Sequence, residues 1–509
     1  MKKGVFRKIS YFLLGVIITA GCFSGCSLLG ESSSSEDEKL RGPDYSQTGE
    51  HFSFYAYAPP GDGYYTVDGQ LYPGKQDAEG NAVSFQTVEK FQEYKDCGFD
   101  TIMFQADDPY TGNQKYEESH VKDLMDMAHQ VGLKAIIFDS RIHNLSAKTT
   151  PIVGEGCAYA TQKDLQNYVA ECMKDYTKHP AFYGLLIRDE PTYEMLSAVG
   201  AVYRAIKANH PDCFIQCNLF PLDSGNAAAY KKGATVATLN SSYKWYLEEF
   251  VNQTGADYVM MDSYPMHKAS NENIIKVEHL KGLEICTTVC KEKGVRLFAV
   301  AQTSAMKKNG ILRLRACEEA DMYWQTNLYM GMGVKQVSYY TYQRKRTNST
   351  SGEYYDDGTS FIRSNGEKTK LYDWMQNIHG EMQSLATAIL NFEYAGIRSY
   401  VGQPAPCNGG FLSGVKDCDF TMIQSATTSA GSILLITELY DKANDQYMYM
   451  IMNAADPSVV TTKSTATVSF GNANDLLVYD KGERSNAKLK DGKYTVSLNP
   501  GHAVFVLPF

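Results

Sequence analysis

The stretch Phe182-Tyr-Gly-Leu-Leu-Ile-Arg-Asp-Glu-Pro191 decides the fold. Its first six residues are almost entirely apolar or aromatic, which is typical of a strand buried on both faces of a parallel sheet. The run ends in Arg188, Asp189 and Glu190, and Pro191 is well suited to the first turn of a helix. A buried strand that ends in charge and leads into a helix is the repeating unit of α/β proteins.

The same unit occurs eight times between residues 51 and 390. The apolar runs predict strands over Phe52–Ala58, Asp100–Gln105, Lys134–Phe138, Phe182–Ile187, Cys213–Leu219, Tyr258–Asp262, Arg296–Ala301 and Val334–Tyr340. The periodic segments predict helices over Ser84–Gly98, His120–Val131, Thr161–Thr177, Thr192–Ala208, Ser241–Thr254, Glu272–Lys293, Leu314–Met332 and Glu367–Leu385. Eight repeats favour a (β/α)8 TIM barrel over an open sheet. The first strand is not followed by Gly-x-Gly-x-x-Gly, which weakens a dinucleotide-binding alternative.

After about residue 390 the pattern changes to short strands separated by turn residues. They are predicted over Ile433–Thr437, Gln446–Asn453, Thr465–Phe470, Asp475–Tyr479, Lys493–Leu498 and Ala503–Leu507. This spacing predicts an antiparallel β-sandwich over residues 391–509. A disulfide between Cys407 and Cys418 would close a loop there; an exported protein permits this pairing, and the sequence leaves it open.

The N-terminus predicts export and lipid attachment. A basic segment precedes the short apolar run Tyr11–Ala20, as in a signal peptide. Thr19-Ala-Gly-Cys22 resembles a bacterial lipobox, and so does Phe23-Ser-Gly-Cys26; Cys22 is favoured because it follows the apolar run directly. We expect a lipoprotein signal peptide over 1–22 and a flexible tether over 23–50, with the protein anchored at the bacterial cell surface. An ordinary cleaved signal peptide is the alternative.

Composition narrows the classes of ligand. The net charge of −9 disfavours nucleic acid, which requires a cationic face. The cysteines and histidines show no zinc spacing, and no cofactor or metal is predicted. The 36 tyrosines favour a polar ligand such as an oligo- or polysaccharide, because each ring offers a flat apolar face and a polar tip.

The candidate site follows from the barrel prediction, because barrel enzymes carry their chemistry at the carboxyl ends of the strands. These ends are acidic, amide-rich and aromatic, without a Ser–His pair or a phosphate-binding glycine loop. Carboxylates beside aromatic rings suit glycosidic-bond cleavage. The predicted catalytic residues are Glu190 and Asp262, and the predicted substrate contacts are Asp107, Arg188, Asp189, Asn218, Tyr264, Gln302, Tyr340 and Tyr342.

Three segments resemble a known group. His179–Gly184 with Ile187–Pro191 resembles the fourth-strand signature of the barrel glycoside hydrolases that include the family 42 β-galactosidases. Gly331–Tyr342 resembles their eighth strand, and Asn499-Pro-Gly501 resembles the last hairpin of their C-terminal sandwich. The resemblance implies that Glu190 is the general acid/base.

Two departures from that group concern the chemistry. The resemblance implies a nucleophilic Glu at the end of strand 7, where this chain has Gln302, an amide that cannot form a glycosyl ester. It also implies that the residue directly before the general acid/base is Asn, whereas this chain has Asp189 before Glu190. Gln302 can still hydrogen-bond a sugar hydroxyl or orient a water.

Three interpretations stay open. The favoured one is a glycoside hydrolase with Glu190 as acid and Asp262 as base or nucleophile. The second is a barrel that binds glycan without cutting it, and the third is a lyase or isomerase acting on a polar substrate. Structural roles are also open: Glu190 pairing with Arg188 or Arg141, Asp262 holding Tyr264, Asp107 capping a turn, and Tyr340 and Tyr342 filling the barrel.

Overall fold

The computed structural model describes residues 40–67, 70–105, 118–269, 272–343, 353–355, 358–406 and 409–509. The predicted signal peptide, with Cys22 and Cys26, lies outside these residues, as do Asp107 and Cys407. Among the described residues, no helix combines the length and the apolar character needed to cross a membrane.

The predicted tether ends earlier than residue 50. From about residue 40 the chain contacts the folded body: Tyr45 is buried and its Oη donates to Asp441 Oδ2 at 2.9 Å. Arg41 pairs with Asp475 at 3.1 Å. The part of the chain from Leu40 to Phe509 forms one compact unit.

Strands and helices alternate as far as residue 389, and further strands follow from residue 393. The helices are α1 (Val88–Asp96), α2 (Glu118–Val131), α3 (Ser140–Ser146), α4 (Gln162–Met173), α5 (Leu196–Asn209), α6 (Ala227–Tyr230), α7 (Leu239–Thr254), α8 (Val277–Lys293), α9 (Glu319–Gly331) and α10 (Lys370–Ile389). The strands of this part are β1 (Ser53–Ala56), β2 (Tyr64–Val67), β3 (Gln70–Pro73), β4 (Thr101–Gln105), β5 (Lys134–Phe138), β6 (Phe182–Asp189), β7 (Phe214–Asn218), β8 (Tyr258–Asp262), β9 (Met266–Ala269), β10 (Glu272–Ile275), β11 (Arg296–Gln302), β12 (Met306–Lys308), β13 (Ile311–Leu314), β14 (Val334–Tyr340) and β15 (Glu353–Tyr355).

The eight predicted buried strands are all present and parallel to their neighbours. They form two four-stranded sheets in the orders β1-β14-β11-β8 and β4-β5-β6-β7. Backbone hydrogen bonds connect the two sheets: Leu219 N, just after β7, donates to Met260 O of β8 at 2.9 Å, and Asp100 N, just before β4, donates to Phe54 O of β1 at 3.1 Å. The carboxyl ends of these strands therefore lie on one side of the molecule.

Side-chain alternation explains why these strands appear as continuous apolar runs. On β8, Met260 belongs to an inner cluster with Tyr55, Leu186 and Phe298, whereas Met261 belongs to the larger core that the helices cover. Both faces are buried, so both sets of alternate residues must be apolar.

Several predicted helix boundaries are wrong by a few residues. The first helix is capped by Thr87, whose side chain accepts the N–H of Lys90, and not by Ser84, which instead accepts the N–H of Gln86 in the preceding turn. The predicted helix ends at Thr254 and Lys293 are confirmed, because Gly255 and Gly294, with φ values of 69° and 66°, terminate α7 and α8 in the left-handed conformation.

An antiparallel sheet that the sequence did not predict lies after the ends of β8, β11 and β14. Its strand order is β10-β9-β13-β12-β15. It corrects two predicted helices, because Glu272–Ile275 is a strand that pairs with Met266–Ala269, and Leu314 ends another strand. Pairing with a neighbouring strand outweighs the local helical pattern at these positions.

The C-terminal region is antiparallel, as predicted. Its strands are β16 (Glu393–Val401), β17 (Ile423–Thr428), β18 (Ile433–Asp441), β19 (Gln446–Asn453), β20 (Ser464–Phe470), β21 (Asp475–Asp480), β22 (Glu483–Lys488), β23 (Lys493–Leu498) and β24 (Ala503–Pro508). They form a sheet of order β16-β18-β19-β24-β21-β22 and a sheet of order β17-β20-β23, which share one apolar cluster. Cys418 forms no disulfide with another cysteine of the described residues.

Candidate functional site

The candidate site lies where the parallel strands end. Asn218 and Asp262 are the last residues of β7 and β8, Glu190 directly follows β6, and Tyr340 ends β14. Tyr57 directly follows β1. The fold thus brings together polar side chains that are far apart in the chain.

A shift in strand register turns Asp189 toward this site. Leu186 pairs with Gln216, but Arg188 pairs with Cys217, so β6 contains one residue more than β7 over this interval. In regular alternation Asp189 would face the opposite side of the sheet from Leu186, which belongs to the inner cluster. The extra residue instead places Asp189 opposite Asn218, as bulges next to functional sites commonly do.

Glu190 has an unusual backbone conformation. Its φ is 45°, in the left-handed region that residues other than glycine rarely adopt. Its N–H donates to Asn218 O at 3.0 Å, and Tyr246 Oη donates to the carbonyl of the following residue, Pro191. Strain of this kind persists where the surroundings enforce it, and it is concentrated at functional sites.

Asp262 is buried at the end of a chain of hydrogen bonds. Asn218 Nδ2 donates to Asp262 Oδ2 at 2.7 Å, and Tyr57 Oη donates to Asn218 Oδ1 at 2.7 Å. Gln216 Nε2 in turn donates to Tyr57 Oη at 2.6 Å. Asp262 Oδ1 is buried and lacks a hydrogen-bond partner among the described residues, although Tyr264 is near enough to lower the pKa of the carboxyl.

The environment of the acidic groups in the site shifts their pKa values. Burial, and then the charge of Asp189, raise the pKa of Asp262 to about 7. Burial also raises the pKa of Asp189, against the opposing effects of Asn218 and Arg188. Asp189 is accessible to solvent, yet protein surrounds it on most sides, which explains a raised pKa in an exposed side chain. Burial and the charge of Asp189 both favour the protonated form of Asp262 over the ionised form.

Tyr264 connects the carboxylates in space. Burial raises the pKa of its hydroxyl well above the ordinary value, followed by the effects of Asp262, Tyr340, Glu190 and Asp189. All four groups are close enough to act on this one hydroxyl. The Asp189-Glu190 pair from β6 and Asp262 from β8 therefore belong to the same site.

Three tyrosine rings border these carboxylates. The ring of Tyr340 stacks on Tyr264 at 5.5 Å between centroids and lies at 5.8 Å from Tyr57. Tyr57, Tyr264 and Tyr340 are each only partly buried. Partly exposed aromatic faces beside carboxylates form a surface that suits the apolar face of a sugar ring.

Arg188 lies at the edge of this group. Its Nη1 is 3.5 Å from His143 Nε2, and its Nε is buried without a partner in the described structure. Burial and the adjacent guanidinium lower the pKa of His143 to about 4, so this histidine is neutral near pH 7. Arg141, the other predicted partner of Glu190, pairs with Asp139 at 2.8 Å and with Asp175 at 3.2 Å.

Gln302 does not join the site. It is buried, with 1% of its surface exposed. Its Nε2 donates to Met266 O at 3.1 Å and to Arg315 O at 3.0 Å, and its Oε1 accepts the N–H of Met266 at 2.8 Å. Both amide protons are thus bound to backbone, which leaves neither for the predicted contact with a sugar.

The side chain of Tyr342 is buried away from the site, which corrects its prediction as a substrate contact, although its N–H donates to Tyr57 O at 2.8 Å. β14 ends at Tyr340, so strand alternation does not extend to Tyr342. Tyr342 is buried in the outer core, with ring centroids 4.7 Å from Tyr94 and 5.6 Å from Phe361. Its role is in packing. The predicted contact Asp107 lies outside the described residues.

Two site residues were missed from the sequence, Tyr57 and Gln216. Gln216 has a detectable signal, because it is a polar residue within a buried strand and lies two positions before Asn218, on the same face. Tyr57 has only its position immediately after the first strand. In the described part of the chain, no cluster of three or more histidine, cysteine or acidic side chains is arranged to hold a metal ion.

Comparisons with known proteins give only distant likenesses. No protein-family model matches the sequence, and no curated protein matches it. Among solved structures, the chain resembles the β-galactosidase from the psychrophilic Marinomonas ef1 at 10% identity, over 60% of this chain and 58% of that one, with a TM-score of 0.42. It resembles an Anoxybacillus α-amylase at 11% identity, over 92% and 99% of the two chains, with a TM-score of 0.43. It resembles a GH27 β-L-arabinopyranosidase from Geobacillus stearothermophilus at 11% identity, over 91% and 99%, with a TM-score of 0.44.

This chain spans little more than half, 58%, of the length of that β-galactosidase.

Proposed function

We propose that this protein is a glycoside hydrolase in which the two parallel sheets form one (β/α)8 barrel and the C-terminal sheets form a β-sandwich. The hydrogen bonds from Leu219 to Met260 and from Asp100 to Phe54 support closure, because they join both pairs of outer strands. Polar groups gathered at the carboxyl ends of the strands support a site at that side of the barrel.

One observation carries the proposal: carboxylates from two strands separated by β7 reach one aromatic site. Glu190 and Asp262 both lie close enough to Tyr264 to raise the pKa of its hydroxyl. Cleavage of a glycosidic bond requires one carboxyl group to protonate the leaving oxygen and a second to act as base or nucleophile. The substrate is an oligo- or polysaccharide, whose rings stack on the exposed tyrosine faces.

In this mechanism Glu190 is the general acid and Asp262 is the base or nucleophile. Asp262 then acts only when ionised, so its raised pKa places one limb of the pH–rate profile near pH 7. Glu190 acts only when protonated and sets the opposite limb. Because exchanging the two roles gives the same bell-shaped profile, the response of each variant to the leaving group assigns the roles.

The Glu190→Gln variant tests the acid. It retains the shape and hydrogen bonding of the side chain but lacks the transferable proton, and we expect a rate loss on the order of 10²–10⁴. Substrates with good leaving groups should lose less, because they need less protonation. Glu194→Gln is the matched control, because Glu194 is an exposed residue four positions further along the chain. Full activity of Glu190→Gln on poor leaving groups would refute this assignment.

The Asp262→Asn variant tests the second carboxylate. It should slow cleavage for good and poor leaving groups alike, because the base or nucleophile acts regardless of protonation of the leaving oxygen. Asp257→Asn is its control, because Asp257 is exposed just before the other end of β8. Equal rates for Asp262→Asn and the wild type would exclude Asp262 from the reaction.

Binding without cleavage is the second candidate function. The position of Gln302 favours it, because the end of β11 supplies no carboxylate and the amide is bound to backbone. A panel of chromogenic and natural glycans decides between the two. If the wild type cleaves none of them and a bound glycan contacts Glu190, the protein is a glycan-binding barrel.

We also propose export and attachment to the membrane through a lipid on Cys22 or, failing that, on Cys26. The order of basic, apolar and small residues before each cysteine supports this. Labelled palmitate should be incorporated into the wild type. Unchanged labelling of the Cys22→Ala, Cys26→Ala and double variants would refute the anchor.

A further inference from the structure

The hydrogen-bond chain that ends at Asp262 crosses the interior of the strand array. Gln216 and Asn218 are on β7, Tyr57 follows β1, and Asp262 ends β8. Gln216 and Asn218 are fully buried, and Asp262 exposes 6% of its surface. We refer to Gln216, Tyr57 and Asn218 as the relay.

When Asp262 is ionised, the donors and acceptors of the relay allow one arrangement. The hydroxyl of Tyr57 has a single proton, which it donates to Asn218 Oδ1 while it accepts from Gln216 Nε2. With Oδ1 so engaged, the amide of Asn218 directs Nδ2 at Asp262 Oδ2. The opposite orientation of this amide would place two oxygens against each other in a buried setting, which is unfavourable.

The two carboxyl oxygens of Asp262 differ in their hydrogen bonding. Oδ2 accepts from Asn218 at 2.7 Å, whereas Oδ1 is buried without a partner in the described residues. A buried oxygen without a partner carries a desolvation cost that a ligand or water can relieve. This oxygen is in the group of side chains that surrounds the hydroxyl of Tyr264.

We propose that Gln216, Tyr57 and Asn218 are positioning residues, which hold Asp262 Oδ2 and thereby present Oδ1 to the sugar or to the attacking water. The inference rests on the proposed glycosidase function. It adds a defined orientation for the second carboxylate and two residues, Gln216 and Tyr57, that set it without contacting the bond that is cleaved.

Other groups also face Asp262 and influence its titration. Besides burial, the charge of Asp189 raises the pKa of Asp262, and Tyr264 and the hydrogen bond donated by Asn218 lower it. Any change in the relay must therefore be measured with these groups intact. The titratable groups that interact with Asp262 or adjoin it at the site are Asp189, Glu190, Tyr57, Tyr264, Tyr329 and Tyr340, and the guanidinium of Arg188 acts on Asp189.

Tyr57→Phe is the decisive variant. It keeps the ring but removes the proton that fixes the amide of Asn218, so Asp262 loses a stabilising donor and its pKa should rise by about one unit. In cleavage assays kcat should fall about fivefold near pH 7, with KM changed less than about twofold, and the pH limb should move upward by the same unit. Gln216→Met should cause a smaller shift in the same direction, and it removes an amide oxygen that has no partner.

Titration of Asp262 by carbon-13 NMR of the carboxyl groups, assigned with Asp262→Asn, measures the pKa without any glycan. Tyr183→Phe is the control, because Tyr183 packs against the same inner cluster at the opposite end of β6. The relay is supported if the titration midpoint of Asp262 moves upward in Tyr57→Phe and in Gln216→Met but not in Tyr183→Phe. An unchanged midpoint in a folded Tyr57→Phe variant overturns the relay. If Tyr57→Phe does not fold, the midpoint in Gln216→Met decides in the same way. If the midpoint shifts but the wild type cleaves no glycan, the relay stands and the proposed function fails.

Discussion

The interaction between Asp189 and Asp262 makes a quantitative prediction for the Asp189→Asn variant. Asn has nearly the same shape as Asp and can still hydrogen-bond to Asn218, but it removes the negative charge that raises the pKa of Asp262. We therefore expect the pKa of Asp262 to decrease.

The size of the decrease follows from the sheet. β7 lies between β6 and β8, so the backbones at Asp189 and Asp262 are about 10 Å apart at about 4.8 Å per strand. Two unit charges at that distance, in an effective dielectric of about 20, interact by about 1.7 kcal/mol, or about 1.2 pKa units. Because Asp189 is exposed, solvent reduces this effect, and we expect a decrease of about one unit, from about 7 to about 6.

Two assays check this value. Carbon-13 NMR titration of Asp262 should show its midpoint about one unit lower in Asp189→Asn, and the corresponding limb of the pH–rate profile should move equally. Asp257→Asn, at the opposite end of β8, should leave the midpoint unchanged. A midpoint that stays the same or rises in Asp189→Asn would refute the reasoning, because Asp189 would then not act on Asp262.

Three further substitutions have expected effects on stability, each measured by urea denaturation. Folding raises the pKa of Asp262 from about 3.9 to about 7, so the wild type loses stability as the pH rises and this carboxyl ionises. The free energy of unfolding of Asp262→Asn should therefore increase by about 3 kcal/mol relative to that of the wild type between pH 5 and pH 8. A difference that stays constant with pH would contradict this. Glu190→Gly should raise the free energy of unfolding by about 1 kcal/mol, because glycine adopts a φ of 45° without strain; a loss of stability would argue against strain. Gln302→Glu should lower the free energy of unfolding by about 2–3 kcal/mol near pH 7, because the backbone carbonyls of Met266 and Arg315 lose their hydrogen-bond donors. An unchanged free energy of unfolding would mean that the structure around residue 302 relaxes.

Much of the framework was predictable because its signals are local. A strand buried on both faces needs an apolar side chain at nearly every position, so β5, β8 and β14 have the predicted boundaries. The charged residues that follow the apolar run Phe182–Ile187 likewise indicated that Glu190 lies at the end of a strand. Local patterns were misleading where pairing with another strand competes, as at Glu272–Ile275, which pairs with the preceding strand β9 instead of starting a helix.

By itself, the sequence determined the eight parallel strands, the antiparallel C-terminal region and the position of Glu190 and Asp262 at strand ends, because burial and strand termination leave marks within a few residues. Only the tertiary structure decided where the side chains of those ends point. The register shift that turns Asp189 inward depends on the pairing of β6 with β7. The engagement of Gln302 by Met266 and Arg315, and the contact of Tyr57 with Asn218, join residues distant in the chain. Hydrogen bonds between distant segments depend on strand order and register, and no short stretch of sequence contains either.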